Sequence, residues 1–415
     1  MSIRDAVVVA APACDSPVLF EPYGLPAVRK LAAQPACTDR DLLDAYTSRG
    51  IVDIVSVPCS VTDTWHALAA ERSARGELNL VMTNHEGNLA GIAGGIWFGT
   101  GRTALVHMQN SGLPNAGDGF VSFADPEVYG VPMAAMVTFR GATPADQSEP
   151  HQAIGRRTDL LCEAIFGGEA VIEGGRWGRD LLASVERSAD AALDGRIGVV
   201  KVAEAGFRKV HRAALPTGAG AHVRPDVREL RRTKGIGSLP SSMCVGRTLS
   251  REAAIRTICE RHPEAAILFC NGFTSRAARA TCDSPRCFYN IGYMGGTMAI
   301  AWGLAKSRPD IEVVVVDGDQ NALMSAMKDQ LASDYPPNLH WYILDNGIGA
   351  SVGTSESMPL GPAYDDLARI VRTVPDAPGS FAFPRVRAES QGAALSTLAQ
   401  RFRNWLAACG QGVLQ

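Results

Sequence analysis

"VVVVDGDQNALMSAMK", Val313–Lys328, is a run of four valines that stops on Asp317-Gly318-Asp319-Gln320. A continuous apolar run bounded by turn residues reads as a strand buried on both faces, which is the habit of a parallel sheet. In an open parallel sheet, ligands bind at the carboxyl ends of the strands, and Asp319 sits at such an end. The next apolar run, "NLHWYILDNGIG" (338–349), also finishes on polar residues, Asp345 and Asn346. Two neighbouring strand ends can present a carboxylate and an amide oxygen to one point. A hard cation such as Mg2+ takes six oxygens, often including phosphate oxygens. Asp319, Asn346 and the backbone carbonyl of Ile348 would supply three of them. Backbone N–H groups at the following helix starts favour phosphate. Acids also end many strands simply as turn formers, and Asp317 is read that way.

The rest of the chain extends this pattern. Strands are expected in "IVDIVSVPC", "LNLVMTN", "TALVHMQN", "VPMAAMVTF" and "IGVVKVAEA", and later in "AAILFCNG", with helical segments between them. One helix is expected over "ALMSAMKDQLASDY" (322–335). The alternation predicts two α/β units with parallel sheets covered on both faces. The division is residues 1–38 as an N-terminal extension, 39–205 and 246–415 as domains, and 206–245 as a linker. That linker is basic and rich in proline, glycine and serine.

Composition narrows the function. Of 415 residues, 46% are hydrophobic and 20% charged, with a formal net charge of −3. No basic face points to nucleic acid. No stretch approaches the roughly 20 apolar residues of a membrane span, and no secretory signal is read at the start. Ten cysteines are scattered without a CxxC pair, which fits reduced thiols in a cytoplasmic protein.

The segment "NHEGNLAGIAGGIWFGTG" (84–101) places Leu89, Ile92, Ala93, Ile96 and Trp97 on one helical face. Gly87, Gly91, Gly94 and Gly95 allow that helix a close approach to a neighbour, with Asn84 as its expected N-cap. Glu86 then falls in the first turn, where an acid is also favoured by the helix dipole alone. Met294 in "GYMGG" (292–296) reads on its own as core filler.

Together these stretches resemble a known family. Asp319 and Asn346 are 27 positions apart, similar to the GDG…NN motif of thiamine-diphosphate enzymes. The texts "NHEGN", "MQNSGLPNA", "ADPEVYGVPM", "GFTSR" and "YMGGTMAIAWGLA" resemble phosphonopyruvate decarboxylase and sulfopyruvate decarboxylase over roughly residues 40–360. The resemblance implies an α/β fold of two doubly wound domains, pyrimidine-binding then diphosphate-binding, without a middle domain. It implies decarboxylation of a 3-substituted pyruvate, 3-phosphonopyruvate foremost, with thiamine diphosphate and Mg2+ as cofactors. Carbon–carbon ligation with the same cofactor, decarboxylation of sulfopyruvate and a low-activity cofactor-binding homologue are the alternatives.

By the same resemblance, Glu86 hydrogen-bonds the cofactor's pyrimidine ring, and Met294, after Gly292, supports the bent cofactor. Thr274, Gly318, Asp319, Gln320, Asn321 and Asn346 lie at the diphosphate, with Asp319, Asn346 and Ile348 on the metal. Asn110 and His151 are the further catalytic candidates. "EPHQ" reverses two letters of a family segment, so His151 and Gln152 both stay open. Gln109, Ser111, Arg140 and Arg276 are the substrate candidates. Taken alone, the first two read as turn residues and each arginine as a structural one. His107 reads as a core residue and Cys59 as a buried thiol. The resemblance also implies a homodimer or higher homo-oligomer with sites between subunits, and a small anionic 2-oxo acid as partner. Gln320 stands where the motif has glycine, a position that would be strained at positive φ. Asp345 stands where it has asparagine.

Overall fold

The computed structural model describes residues 37–141, 148–167, 170–173, 179–203, 206–210, 249–352, 355–376 and 394–409. The expected N-terminal extension (apart from residues 37 and 38) and most of the expected linker lie outside them. All described residues belong to one unit, Pro35–Gln415.

The first sheet runs β1 (Asp53–Ser56), β2 (Asn79–Met82), β3 (Ala104–Gln109), β4 (Met133–Phe139), β5 (Val171–Glu173) and β6 (Ile197–Ala203) in sequence. Its spatial order is β2-β1-β3-β4-β6-β5, and every pairing is parallel. Around it lie α1 (Asp39–Thr47), α2 (Asp63–Ala74), α3 (Leu89–Thr100), α4 (Leu113–Gly119), α5 (Glu149–Gly155), α6 (Thr158–Phe166) and α7 (Arg179–Leu193).

The second sheet contains β7 (Ala266–Phe269), β8 (Cys287–Tyr289), β9 (Val313–Gly318) and β10 (Leu339–Asp345). After a small ribbon of β11 (Ile348–Gly349) and β12 (Ser355–Glu356), β13 (Arg369–Arg372) completes it. The order is β13-β10-β9-β7-β8, again all parallel. Its helices are α8 (Arg251–Arg261), α9 (Phe273–Cys282), α10 (Thr297–Ser307), α11 (Asp319–Met324), α12 (Lys328–Ser333), α13 (Ala363–Leu367) and α14 (Leu395–Cys409). The single helix expected over 322–335 is two, because Ser325 is extended (φ −70°, ψ 124°) and ends α11.

α3 and α10 join the two sheets. Residues 89–98 of α3 are buried all round, as a helix between two layers must be. A Cβ on Gly91 would lie 2.7 Å from the Ala299 Cβ, and one on Gly95 would lie 2.1 Å from the Ile300 carbonyl oxygen. One on Gly303 would lie 2.2 Å from the Ile92 carbonyl oxygen. The two helices therefore touch backbone to backbone. Contacts advance in step, Gly91 with Ala299, Gly95 with Gly303 and Gly99 with Ser307, so the helices are parallel and begin at the same end. One apolar core runs continuously through both. Separate clusters fill the outer faces of the first and second sheets.

Candidate active site

Both sheets change winding direction at one place. The chain leaves β7 for β8 on one side and returns to β9 on the other, which is where doubly wound sheets bind ligands. The ends of β7, β9 and β10 open into a cleft. Thr274, Met294, Gly318, Asp319, Asn346 and Ile348 line it.

Asp319 is 5% exposed. Its Oδ1 accepts from the Gln320 N–H at 2.9 Å, while Oδ2 is buried with no hydrogen-bond partner. Burial raises its pKa, the nearby Asp345 carboxylate adds to this, and the Gln320 amide offsets it in part. A buried carboxylate oxygen left unsatisfied is costly and is relieved by a cation. Asn346 lies at the neighbouring strand end and is 4% exposed. Its Oδ1 accepts from the Ile348 N–H at 3.1 Å, and its Nδ2 donates to Asp376 at 3.3 Å. The donor set is all oxygen, which suits Mg2+, and the first turn of α9 opens on the same cleft with Thr274. These residues fit a magnesium diphosphate.

Gln320 is not strained. It lies in the right-handed helix α11, and its amide rests where a Cβ on Gly349 would stand, 2.5 Å from Nε2. Asp317 departs from its reading as a turn residue. It ends inside β9, fully buried, and accepts from Trp341 Nε1 at 2.8 Å and Asn321 Nδ2 at 2.5 Å. Burial pushes its pKa up to about 6. The Oδ1 of Asn321 takes the Gly295 N–H at 2.8 Å, which ties the Met294 turn to this buried hub. Gly295 has φ +71° there, a conformation open to glycine.

Glu86 opens a short 3-10 turn ahead of α3. His85, not Asn84, caps that turn, its Nδ1 accepting from the Gly87 N–H at 3.0 Å. The Glu86 Oε2 accepts from Asn115 Nδ2 at 3.1 Å. Gly112 lies against the carboxylate, since a Cβ there would be 2.5 Å from Oε1. One turn further along α4, Asp118 Oδ2 accepts from the Met294 N–H at 2.9 Å. Residues three apart on a helix are neighbours, so α4 holds Glu86 and Met294 side by side. Tyr293 adds a second tie, its hydroxyl donating to the Gly87 carbonyl. Met294 is 55% exposed, which is unlike core filler.

The other candidates gather at the carboxyl end of the first sheet. Gln109 Nε2 donates to Ser111 Oγ at 2.6 Å, and Arg140 donates to Ser60 Oγ at 2.6 Å. Asn110 is fully buried. Its amide donates to the Arg140 carbonyl and to Thr158 Oγ1, and its Oδ1 accepts from the Arg140 N–H. Those bonds make Asn110 a clamp on the Arg140 segment rather than a group presented to substrate. The carbonyl of half-buried His151 sits where a Cβ on Gly141 would stand. Cys59 is buried beside Thr138 Oγ1 at 3.2 Å. His107 is fully buried between Ser56 and Thr62, and burial holds its pKa well below the usual imidazole value.

Arg276 stacks on the Phe273 ring at 5.2 Å and is not among the residues lining the cleft. The arginine that does line it is Arg251. Sequence reading missed Arg251, Asp376, Asn115 and Asp118. Gly112 lay within the quoted text "MQNSGLPNA", but its contact with Glu86 has no sequence signal.

Residues 271–371 match the family described as "Thiamine pyrophosphate enzyme, C-terminal TPP binding domain". The chain is 30% identical over 329 residues to a phosphonopyruvate decarboxylase of Streptomyces hygroscopicus, covering 77% of this chain and 75% of that protein. It is 41% identical over 117 residues to a sulfopyruvate decarboxylase subunit beta of Methanothermobacter thermautotrophicus, covering 26% of this chain and 63% of that one. Among solved structures it is similar to a thiamine diphosphate-dependent 4-hydroxybenzoylformate decarboxylase of Rhodococcus jostii. The TM-score is 0.56 at 13% identity, over 82% of this chain and 100% of that one. That likeness concerns the fold. Among the described residues, no helix is long and apolar enough to cross a membrane.

Proposed function

The chain belongs to the thiamine-diphosphate-dependent phosphonopyruvate decarboxylase family, and from that premise we propose that it converts 3-phosphonopyruvate to phosphonoacetaldehyde and carbon dioxide. The observation that carries the reading is the buried, unpartnered Asp319 Oδ2 at a strand end beside Asn346 and Ile348.

Residues 39–205 serve as the pyrimidine-binding domain and 246–415 as the diphosphate-binding domain. Asp319, Asn346 and the Ile348 carbonyl hold Mg2+, while Thr274 and the start of α9 take phosphate oxygens. Gly292, Gly318, Gln320 and Asn321 shape the walls, and Met294 supports the cofactor from below. Thiamine diphosphate, when bound, supplies the carbon that adds to the 2-oxo group and the electron sink for decarboxylation. Glu86, kept in place by Asn115, would hydrogen-bond the pyrimidine ring nitrogen and give it a proton, so that the ring's amino group can lose one. A substrate bearing a carboxylate and a phosphonate calls for cationic and N–H contacts. Arg140, Gln109, Ser111 and His151 supply these, with Asn110 holding the Arg140 backbone.

The likeness to sulfopyruvate decarboxylase subunit beta favours 3-sulfopyruvate as the second reading. A panel of 3-substituted pyruvates, assayed with cofactor and Mg2+ by carbon dioxide release, tests both. Phosphonopyruvate is expected to lead, and a larger rate on sulfopyruvate would overturn that order. Added acceptor aldehyde distinguishes carbon–carbon ligation by its product. The active form is a homodimer or larger homo-oligomer, although one chain by itself already holds Glu86 beside Met294, where the resemblance implied sites between subunits; an active 44.0 kDa species in sedimentation would oppose this.

A further inference from the structure

We propose that Arg251 determines specificity for the terminal phosphoryl group of the cofactor, and that Asp376 positions it. The inference rests on the reading of the cleft as a thiamine diphosphate site.

Arg251 is the first residue of α8. The preceding Leu249 bridges Thr373 in parallel, which lays this segment beside the end of β13. Its side chain is only 11% exposed and lines the cleft. Two contacts and burial fix it. Asp376 Oδ2 accepts from its Nη2 at 2.5 Å. The Phe273 ring lies 5.5 Å from its guanidinium carbon, and burial does the rest. A guanidinium carries five N–H donors in a rigid fork suited to phosphate, and Asp376 engages one end of it.

The same Asp376 oxygen accepts from Asn346 Nδ2. One carboxylate therefore orients both the arginine and the amide at the metal end. Among the described residues lining the cleft, Arg251 is the basic side chain. A diphosphate brings more negative charge than one divalent cation offsets, and Asp319, Asp345 and Asp376 add to it. Topology places Arg251 at the phosphate end. It stands on the β13–β10 side of the sheet, whereas Met294 follows β8 at the opposite edge. A purely structural ion pair, pinning the chain after β13 to α8, would affect every ligand of the cleft alike.

The test compares thiamine diphosphate with thiamine monophosphate, each titrated with Mg2+ into the full chain by calorimetry. Arg251→Gln is expected to weaken diphosphate binding about 10- to 100-fold, as for lost charge-assisted hydrogen bonds. Monophosphate binding should change by less than about threefold. Arg251→Lys keeps the charge without the fork and should give a smaller but still selective loss, which preserves the test if the glutamine variant does not fold. Asp376→Asn should also lose diphosphate selectivity. Equal losses for both ligands, or no loss, would overturn the proposal. Wild-type protein that binds no thiamine diphosphate would instead sink the reading of the cleft.

Discussion

Replacing Gly95 by alanine should loosen the whole molecule from its middle. The added Cβ would stand 2.1 Å from the Ile300 carbonyl oxygen, 2.6 Å from the Leu304 nitrogen and 2.9 Å from the Gly303 carbonyl carbon. All three are backbone atoms of one helix, so no side-chain rotation relieves the contact. Carbon and oxygen approach without strain to roughly 3.3 Å, so α3 and α10 must part by about an ångström. Overpacking of this kind costs about 1–3 kcal/mol, occasionally more. Alanine recovers up to about 1 kcal/mol through its better helix propensity. The clash involves three backbone atoms in a fully buried face, which puts the strain at the upper end and the net loss at about 2 kcal/mol. Urea unfolding of the variant, against wild type and a Gly361→Ala control, measures it. A Cβ at Gly361 meets nothing within 4 Å, and that control should stay within about 0.5 kcal/mol. A Gly95→Ala protein as stable as the control would refute the backbone contact.

Gly112→Ala should act on function instead. The three atoms nearest its Cβ all belong to the flexible Glu86 side chain, so the fold should survive while the carboxylate is displaced. Proton exchange at the cofactor's thiazolium carbon should then fall as it does in Glu86→Gln, and wild-type exchange in either variant would remove Glu86 from its assignment. Acid should destabilise the first sheet through His66, which shares Ser56 and Thr62 with His107. Burial lowers the His66 pKa to about 4 from 6.5. A depressed folded value contributes stability that is complete above pH 6.5 and is lost as pH falls toward 4, roughly 3 kcal/mol in all. His66→Gln should reduce the pH slope of the denaturation midpoint over that window, His107 keeping its own share, and an unchanged slope would count against a buried neutral imidazole at His66.

Strands were the legible part of this chain. Val313–Val316 and Leu339–Leu344 are near-continuous apolar runs, and burial on both faces leaves no other reading for them. The polar residues that end them pointed to the ligand cleft because a parallel sheet aligns all its carboxyl ends. Short elements were not legible. α4 is seven residues with Pro114 in its first turn, too short for a helical period to register. Arg251 looked like any helix-opening residue, since its meaning depends on Asp376, which lies 125 positions away. Gln320 reads as a defect against the motif, which supplies a glycine there. The side chain is accommodated by Gly349 across the turn, a compensation between two turns that no single stretch displays.

The glycines of α3 carry a further consequence. On the proposed reading, the chemistry needs a carboxylate from one sheet and a metal site from the other within the span of one cofactor. Parallel helices meet that need directly. α3 begins just after Glu86 and α10 just after Met294, so packing the two side by side brings both functional turns to the same end. Gly91, Gly95 and Gly99 recur every four residues and form the strip along which α10 lies. α4 then fixes the pair laterally through Asn115 and Asp118. Helix separation and site width are thus one variable. A methyl group at Gly95, a full turn and more into α3, should therefore weaken thiamine diphosphate binding as well as stability. Chain stability and cofactor affinity should fall together at Gly95 and separately at Gly112, because only the first substitution moves the helices.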